Sequence, residues 1–260
     1  MLTLLGRCDD LAIDRIRHFA EFAGAAGYWF AFSGGKDSVV LLDLAKRARV
    51  RFEAHWSMIP PLDPPPLVRW VRRAYPEVHL DWPAKPFFEV MKRQGYPTRV
   101  VRWCCREFKE RAGAGRFVLT GIRWAESVRR SKRSMMEVPR RHEGHFLHPI
   151  IDWRDEDVWA YIRQRGLAYS PLYDEGFHRL GCVGCPQVDD MMGLTRWPHI
   201  YRAWERAFRW LYDNAAAHPM PSVRDLPQKW SSADALFRAW LDRDRSLVGD
   251  LAESECVLFT

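Results

Sequence analysis

Nowhere does this chain hold an apolar run near the roughly 20 residues that a membrane span requires. Its first ten residues have too short an apolar stretch for a secretory signal, and Asp9 and Asp10 come too early. The chain is therefore expected in the cytoplasm, with no membrane partner. Internal repeats and low-complexity segments are also lacking. Cysteine is scarce, with six in 260 residues. In a cytoplasmic chain these are not read as a disulfide framework. A Walker loop, with four residues between its first glycine and its Gly-Lys pair, is missing too. What is present is the composition of a soluble globular protein, 47% hydrophobic and 28% charged, long enough for one large or two small domains. The net charge of +7 favours anionic partners, whether nucleotides, nucleic acid or an acidic protein. Solvated arginine faces would give the same sum. The thirteen tryptophans are expected mostly in cores and interfaces.

The chain is organised around Phe32-Ser33-Gly34-Gly35-Lys36-Asp37-Ser38. The apolar run 28–32 before it suits a buried strand, and 38–48 after it suits a helix packed on a sheet. Two glycines let the backbone turn sharply and approach an anion. The N–H groups at the helix start then point at that anion, supported by the helix dipole. Ser33 and Ser38 add hydroxyls and Lys36 a positive charge. The competing reading is a tight strand-to-helix turn with no ligand.

Periodicity predicts an amphipathic helix over 9–26 and a second strand over 50–56. Pro60, Pro61, Pro64, Pro65 and Pro66 mark 60–66 as a loop. Helices are expected over 67–74, 86–94 and 102–112, and strands over 78–82 and 116–121. Residues 131–145 are basic and aperiodic, and read as a loop, either closing over a substrate or merely solvated. Residues 148–159 read as a strand end followed by a helix start, with Asp152 or Asp155 as its cap. From about 196 the chain reads as helical, with a further helix near 232–242. Strands alternating with helices imply an α/β fold with a doubly wound, mostly parallel sheet. The expected division is a nucleotide-binding α/β domain at 1–190 carrying the cysteine site, and a helical extension at 191–260 packed on it. Ligands in such sheets bind beyond the carboxyl ends of strands. Gly121, Arg123, Glu126, Ser127 and Arg129 leave a predicted strand at such an end.

Cys104-Cys105 and Cys182-Val183-Gly184-Cys185 offer four thiolates, as many as a [4Fe–4S] cluster takes. Adjacent cysteines can each reach a different iron of so wide an object. A single Zn²⁺ would have to draw two neighbouring side chains onto one atom. Free buried thiols and a redox pair are the remaining alternatives. Cys8 has no partner signal and is read as packing.

Ser33–Ser38 resembles the PP-loop of the adenine-nucleotide alpha-hydrolase-like superfamily. A PP-loop, then Cys-Cys, then Cys-x-x-Cys resembles the phosphoadenylyl-sulfate/adenylyl-sulfate (PAPS/APS) reductase family in its cluster-bearing branch. The similarity runs over about residues 25–215 and takes in WCCREFKE, VLTGIRWAESVRR, PIIDWRDEDVWAYI and SPLYDEGFHRLGCVGCP. It looks nearest to standalone reductase-like proteins of phages, plasmids and defence islands, CRISPR-associated ones included. The resemblance implies that Ser33, Gly34, Gly35, Lys36, Asp37 and Ser38 cradle the phosphates or sulfate of ATP, APS or PAPS. Gly121, Arg123, Glu126 and Arg129 would face the nucleotide. Cys104, Cys105, Cys182 and Cys185 would hold a [4Fe–4S] cluster, with Arg106 and Lys109 neutralising charge beside it. Lys36 and Cys256 are the candidate catalytic residues.

One departure matters. Reductases of the family end in Glu-Cys-Gly-Leu-His, whose cysteine attacks the sulfate sulfur. This tail reads Glu255-Cys256-Val257-Leu258-Phe259-Thr260, without the glycine or the histidine. Cys256 is a nucleophile on one reading and incidental on the other. Three functions follow as expectations. The first is reduction of a sulfonucleotide, with a thioredoxin-like reductant. The second is ATP-dependent sulfur transfer to an acceptor such as nucleic acid. The third is a non-catalytic nucleotide-binding accessory of a nucleoprotein complex.

Overall fold

A computed structural model describes residues 4–138, 144–188 and 192–242. Two compact units emerge, and they are interleaved instead of dividing at one point near 190. The first comprises the described residues of Met1–Met58, Pro65–Trp82 and Glu110–Leu180. The second comprises those of Ile59–Pro64, Pro83–Lys109 and Gly181–Thr260. The cysteine site, expected in the N-terminal domain, belongs wholly to the second unit. A contiguous cut was expected because sequence order cannot show which excursions of a chain pack with its tail.

The first unit is an α/β layer. Its strands are β1 (Tyr28–Ala31), β2 (Phe52–Ser57), β3 (His79–Asp81), β4 (Phe117–Leu119), β5 (Met136–Glu137) and β6 (His145–Leu147). They form one sheet in the order β3-β2-β1-β4-β6-β5, parallel except for β5, which runs antiparallel to β6. The stretch 131–145, expected to be loop throughout, thus contains an edge strand and the start of β6. Two-residue β5 is too short to show alternation in the sequence. The helices of this unit are α1 (Leu4–His18), α2 (Lys36–Ala48) and α3 (Pro65–Ala74), with a later one at Asp155–Arg165.

Burial explains the layering. Tyr28 and Phe30 of β1 are fully buried, and Phe117, Val118 and Leu119 of β4 are buried on both faces, as central parallel strands require. Helix α2 buries Val39, Val40, Leu41, Leu42, Leu44 and Ala45. Each of these valine and leucine side chains removed from water contributes about 1.5–3 kcal/mol. The Tyr28 hydroxyl, buried with β1, donates to the Ile16 carbonyl at 2.8 Å, tying α1 to the sheet. Helix α3 begins at Pro65, inside the expected loop. Proline is tolerated there because the first N–H groups of a helix have no partner to lose. The helix expected over 9–26 ends at His18, and a 3₁₀ turn at Ala20–Ala23 follows.

The second unit is helical among its described residues. It holds α4 (Phe87–Gln94) and α5 (Trp103–Phe108). With Asp155–Arg165 as α6, its later helices are α7 (Met192–Arg196), α8 (Pro198–Asp213), α9 (Pro221–Arg224), α10 (Leu226–Lys229) and α11 (Ala233–Leu241). The stripe of α8, with Ile200, Trp204, Phe208 and Leu211 buried, packs on α11, where Phe237 and Trp240 meet Phe208 at centroid distances of 5.1 Å. The Trp204 ring also meets Phe87 of α4 edge-on at 5.2 Å. Trp103, Trp197, Trp204 and Trp240 of this unit are buried, while Trp210 is exposed. Among the described residues no helix is long and apolar enough to cross a membrane.

Candidate functional site

The chain leaves β1 for β2 and β3 on one side, then returns to β4 on the other. The carboxyl ends of β1 and β4 therefore flank a topological switch point, where open α/β sheets bind ligands. Residues Ser33–Gly35 leave β1 there, and Thr120–Arg123 leave β4. Gly34 takes a left-handed φ of +72°, and Gly35 opens α2 in an extended conformation. The serine hydroxyls shape the loop from within. Ser38 Oγ donates to the Gly35 carbonyl at 2.8 Å and lies 3.2 Å from Ser33 Oγ. Lys36 and Ser38 are buried, while Ser33 is exposed.

Gly121 has a reason that only the tertiary contact reveals. A Cβ there would lie 3.1 Å from the backbone carbon and oxygen of Asp37. Backbone atoms yield less readily than side-chain ends, so a side chain here would push one loop back by a few tenths of an ångström. Gly121→Ala is expected to cost about 1–3 kcal/mol as an overpacking change, read by denaturant unfolding.

Behind the loop, Arg123 is 1% exposed and gathers two carboxylates. Its Nε donates to Asp37 Oδ1 at 2.5 Å, its Nη2 to Asp155 Oδ1 at 2.8 Å, and its Nη1 to the Trp153 carbonyl at 3.2 Å. Lys36 Nζ stands 3.1 Å from Asp155 Oδ1 and 3.7 Å from Asp37 Oδ2. Burial pushes the Asp37 carboxyl up, against the pull of Lys36 and Arg123. Burial would also raise Asp155, but its bonds to Lys36 and Arg123 outweigh this and hold it low. Glu126 accepts from the Arg123 backbone N–H at 2.9 Å and pairs with Arg130. Arg129 is exposed and precedes the 3₁₀ turn Arg130–Lys132.

Neither Asp152 nor Asp155 caps α6. Asp157 accepts from the Arg154 N–H at 2.8 Å, while Asp152 takes both Arg15 nitrogens at 2.8 Å. Asp155 is thereby left for the loop. Sequence reasoning missed it as a site residue because an acid at a helix start has an ordinary explanation. It missed Tyr173 as well, although the segment SPLYDEG carried part of the resemblance. Tyr173 Oη accepts the Lys36 backbone N–H at 2.8 Å. A cavity of about 210 Å³ also lies in this unit, walled by Trp70, Arg73 and Leu172 among others, but no residue of the loop lines it.

The second unit brings the four thiols into electrostatic contact. Cys104 and Cys105 lie in the first turn of α5, which ends at Phe108 and not near 112. The Cys182–Cys185 turn is pinned by Val183 N–H donating to the Leu62 carbonyl at 2.8 Å and by Trp204 Nε1 donating to the Val183 carbonyl at 3.1 Å. Gly184 has φ +78°, and a Cβ on it would lie 2.6 Å from Trp204 Nε1, so no other residue fits this turn. The hydrogen bond that Cys104 donates to Cys105 raises Cys104, with burial and the charges of Cys105, Cys182 and Cys185 adding to it. The same bond lowers Cys105, helped by Arg102, whose Nη2 is 3.4 Å from its sulfur. Burial raises Cys182 to about 11. Lys109 is held charged by Cys182, then by Cys105, Asp63 and Cys185, though it keeps water contact that screens the pull. Arg102, which sequence reasoning passed over in favour of Arg106, is the cation bonded to the pair.

Four mutually coupled thiols with two cations beside them match the chemistry of an iron–sulfur ligand set, which is anionic and sulfur-only. Among the described residues no three His, Cys, Asp or Glu side chains converge as ligands of one metal ion. Cys256 lies outside the described residues.

A family model described as the phosphoadenosine phosphosulfate reductase domain matches residues 27–188. An uncharacterized protein of Methanocaldococcus jannaschii is 30% identical over 187 residues, covering 67% of this chain and 46% of that protein. The adenosine 5'-phosphosulfate reductase of Anoxybacillus flavithermus is 27% identical over 171 residues, covering 60% of this chain and 71% of that one. The chain spans less than half the length of the Methanocaldococcus protein and of a second relative from that organism, 46% and 41%. In fold, Candida glabrata FMN adenylyltransferase in complex with ATP matches with a TM-score of 0.51 at 15% identity, over 69% of this chain and 62% of that chain.

Proposed function

Since the chain belongs to the phosphoadenosine phosphosulfate reductase domain family, we propose that it is a sulfonucleotide reductase-like enzyme holding an adenine sulfonucleotide on the Ser33–Ser38 loop. The observation that carries this reading is the pair of buried cations, Lys36 and Arg123, at the first turn of α2 beside the switch point. A phosphate or sulfate there meets the N–H groups of the helix start and two positive charges. Asp155, the more exposed of the two carboxylates at 53% against 21% for Asp37, is the one that such an anion would outcompete for Lys36.

In the reaction, the Cys256 thiolate attacks the sulfur of the sulfonucleotide. The bond from that sulfur to the bridging oxygen breaks, and AMP (or its 3′-phosphorylated form) leaves with the electron pair. A thioredoxin-like dithiol then attacks the cysteine sulfur, is oxidised to a disulfide, and releases sulfite. Cys104, Cys105, Cys182 and Cys185 would hold a [4Fe–4S] cluster, which would supply redox-capable iron. Arg102 and Lys109 offset the thiolates' charge.

The altered tail favours a second reading, ATP-dependent sulfur transfer, because the residues that follow the family's nucleophile are replaced. The test is calorimetry with ATP, APS and PAPS on anaerobically purified protein, with iron measured alongside. The expected result is binding of APS or PAPS and about four iron atoms per chain. AMP (or its 3′-phosphorylated form) and sulfite should form, and Cys256→Ala should abolish both. Pyrophosphate release from ATP that survives Cys256→Ala would establish sulfur transfer instead. Nucleotide binding without turnover would leave the accessory role, as in a defence complex.

A further inference from the structure

Tyr173 touches the loop through both ends of one residue. Its hydroxyl oxygen takes the Lys36 backbone N–H at 2.8 Å, and its ring lies 6.0 Å from Lys36 Nζ. A Cβ on Gly35 would sit 3.5 Å from the same hydroxyl, so Oη overhangs the glycine turn itself. The residue is held there from behind. Ser170 caps the short turn Pro171–Tyr173, accepting from the Leu172 N–H at 3.4 Å. Trp159 of α6 packs edge-on against the Tyr173 ring at 5.1 Å and 88°. Because α6 starts at Asp155, the same helix positions the ring and the carboxylate facing Lys36.

A phenol that accepts one hydrogen bond still has its own proton to give. Among the described residues no acceptor lies within hydrogen-bond reach of that proton. Burial pushes the phenol up, well above its ordinary value, so it stays protonated. The first N–H of α2 is thus extended by one hydroxyl, and the donor at the end of the chain overhangs the place where an anion would sit. A hydroxyl that accepts from an amide is polarised into a better donor.

We propose that Tyr173 is a ligand-binding residue of the loop, accepting from the Lys36 N–H and donating its own proton to a phosphate or sulfate oxygen of the bound nucleotide. This rests on the reading of the loop as an adenine-nucleotide site. It differs from a packing role, which needs only the ring. It differs also from a blocking role, in which the hydroxyl occupies the amide that the anion needs.

The test compares wild type with Tyr173→Phe by calorimetry, using APS, AMP and adenosine as probes. The phenylalanine ring keeps the contact with Trp159. The proposal expects APS and AMP to bind about 10- to 150-fold more weakly to the variant, as for loss of a hydrogen bond to a charged group. Adenosine, lacking the anion, should bind both alike. Unchanged affinity would assign the residue to packing, and tighter affinity would make the hydroxyl a competitor; either overturns the proposal. Wild-type protein that binds none of the three would sink the loop reading together with it. A second measurement needs no variant. On titration with AMP, the wild-type Lys36 amide proton should remain close to the Tyr173 ring and move downfield. Loss of that proximity would show that the anion expels the hydroxyl.

Discussion

Arg123→Met is expected to destabilise the protein by about 3 kcal/mol at pH 7, at the low end for breaking a buried ion pair. The substitution leaves Asp37 and Asp155 without the guanidinium that bonds both. Asp155 is half exposed, so water recovers part of its loss, and Lys36 still faces both carboxylates. Asp37 is the group that suffers. Burial already raises it, and removing Arg123 raises it further. The pH dependence follows. A carboxyl whose folded value lies above its unfolded value binds its proton more readily in the native state, so stability falls as pH rises through that range. The deficit of the variant relative to wild type should therefore narrow as the pH is lowered toward 5. Urea unfolding at the two pH values checks both parts. A deficit below about 1 kcal/mol at pH 7, or one independent of pH, would show that Arg123 does not hold the two loops together. Arg123→Lys should recover little, because an ammonium cannot bond two separate carboxylates and a carbonyl in one planar fork.

In metal-free protein at pH 6.5, a disulfide reagent is expected to react with Cys105 at least tenfold faster than with Cys182. Cys105 is the thiolate of the pair because Cys104 donates to it and Arg102 and Lys109 stabilise its charge. Cys182 is raised by burial and is almost wholly protonated at that pH. The lower intrinsic nucleophilicity of an acidic thiolate offsets part of the advantage, which is why the ratio is smaller than the thiolate populations alone would give. Quenched mass spectrometry resolves the two sites, since they fall in different peptides. Arg102→Gln should slow Cys105. Reaction at Cys104 or Cys182 first would overturn the assignment of charge. The same coupling has a consequence for loading. The Cys105 thiolate is easily formed while Cys104 and Cys182 hold their protons, so taking up a cluster must release protons, and acid should strip it.

Much of the Ser33–Ser38 loop was legible in the chain because its determinants are local. A buried strand, two glycines, a lysine and an apolar helix lie within about twenty consecutive residues, and each acts on its immediate neighbours. The cysteines were visible for the same reason: their chemistry is carried by residue type. What the sequence mistook were residues with two plausible employments. Asp155 reads as a helix cap, yet Asp157 performs that task and Asp155 turns to Lys36 and Arg123. Arg106 sits next to the cysteine pair in the chain, yet Arg102, one turn earlier, reaches the sulfur.

The residues themselves determined a mostly parallel α/β sheet, the glycine turn at Ser33–Ser38 and the four thiols, since periodicity, backbone freedom and side-chain chemistry are properties of short stretches. Tertiary structure alone decided that Tyr173, more than a hundred residues away, stands over Gly35, and that Gly121 is pressed against the Asp37 backbone. It also decided that residues 83–109 pack with the C-terminal helices and not with the sheet on either side of them in sequence. Those outcomes depend on which surfaces are buried against which, and burial is settled by the whole chain at once.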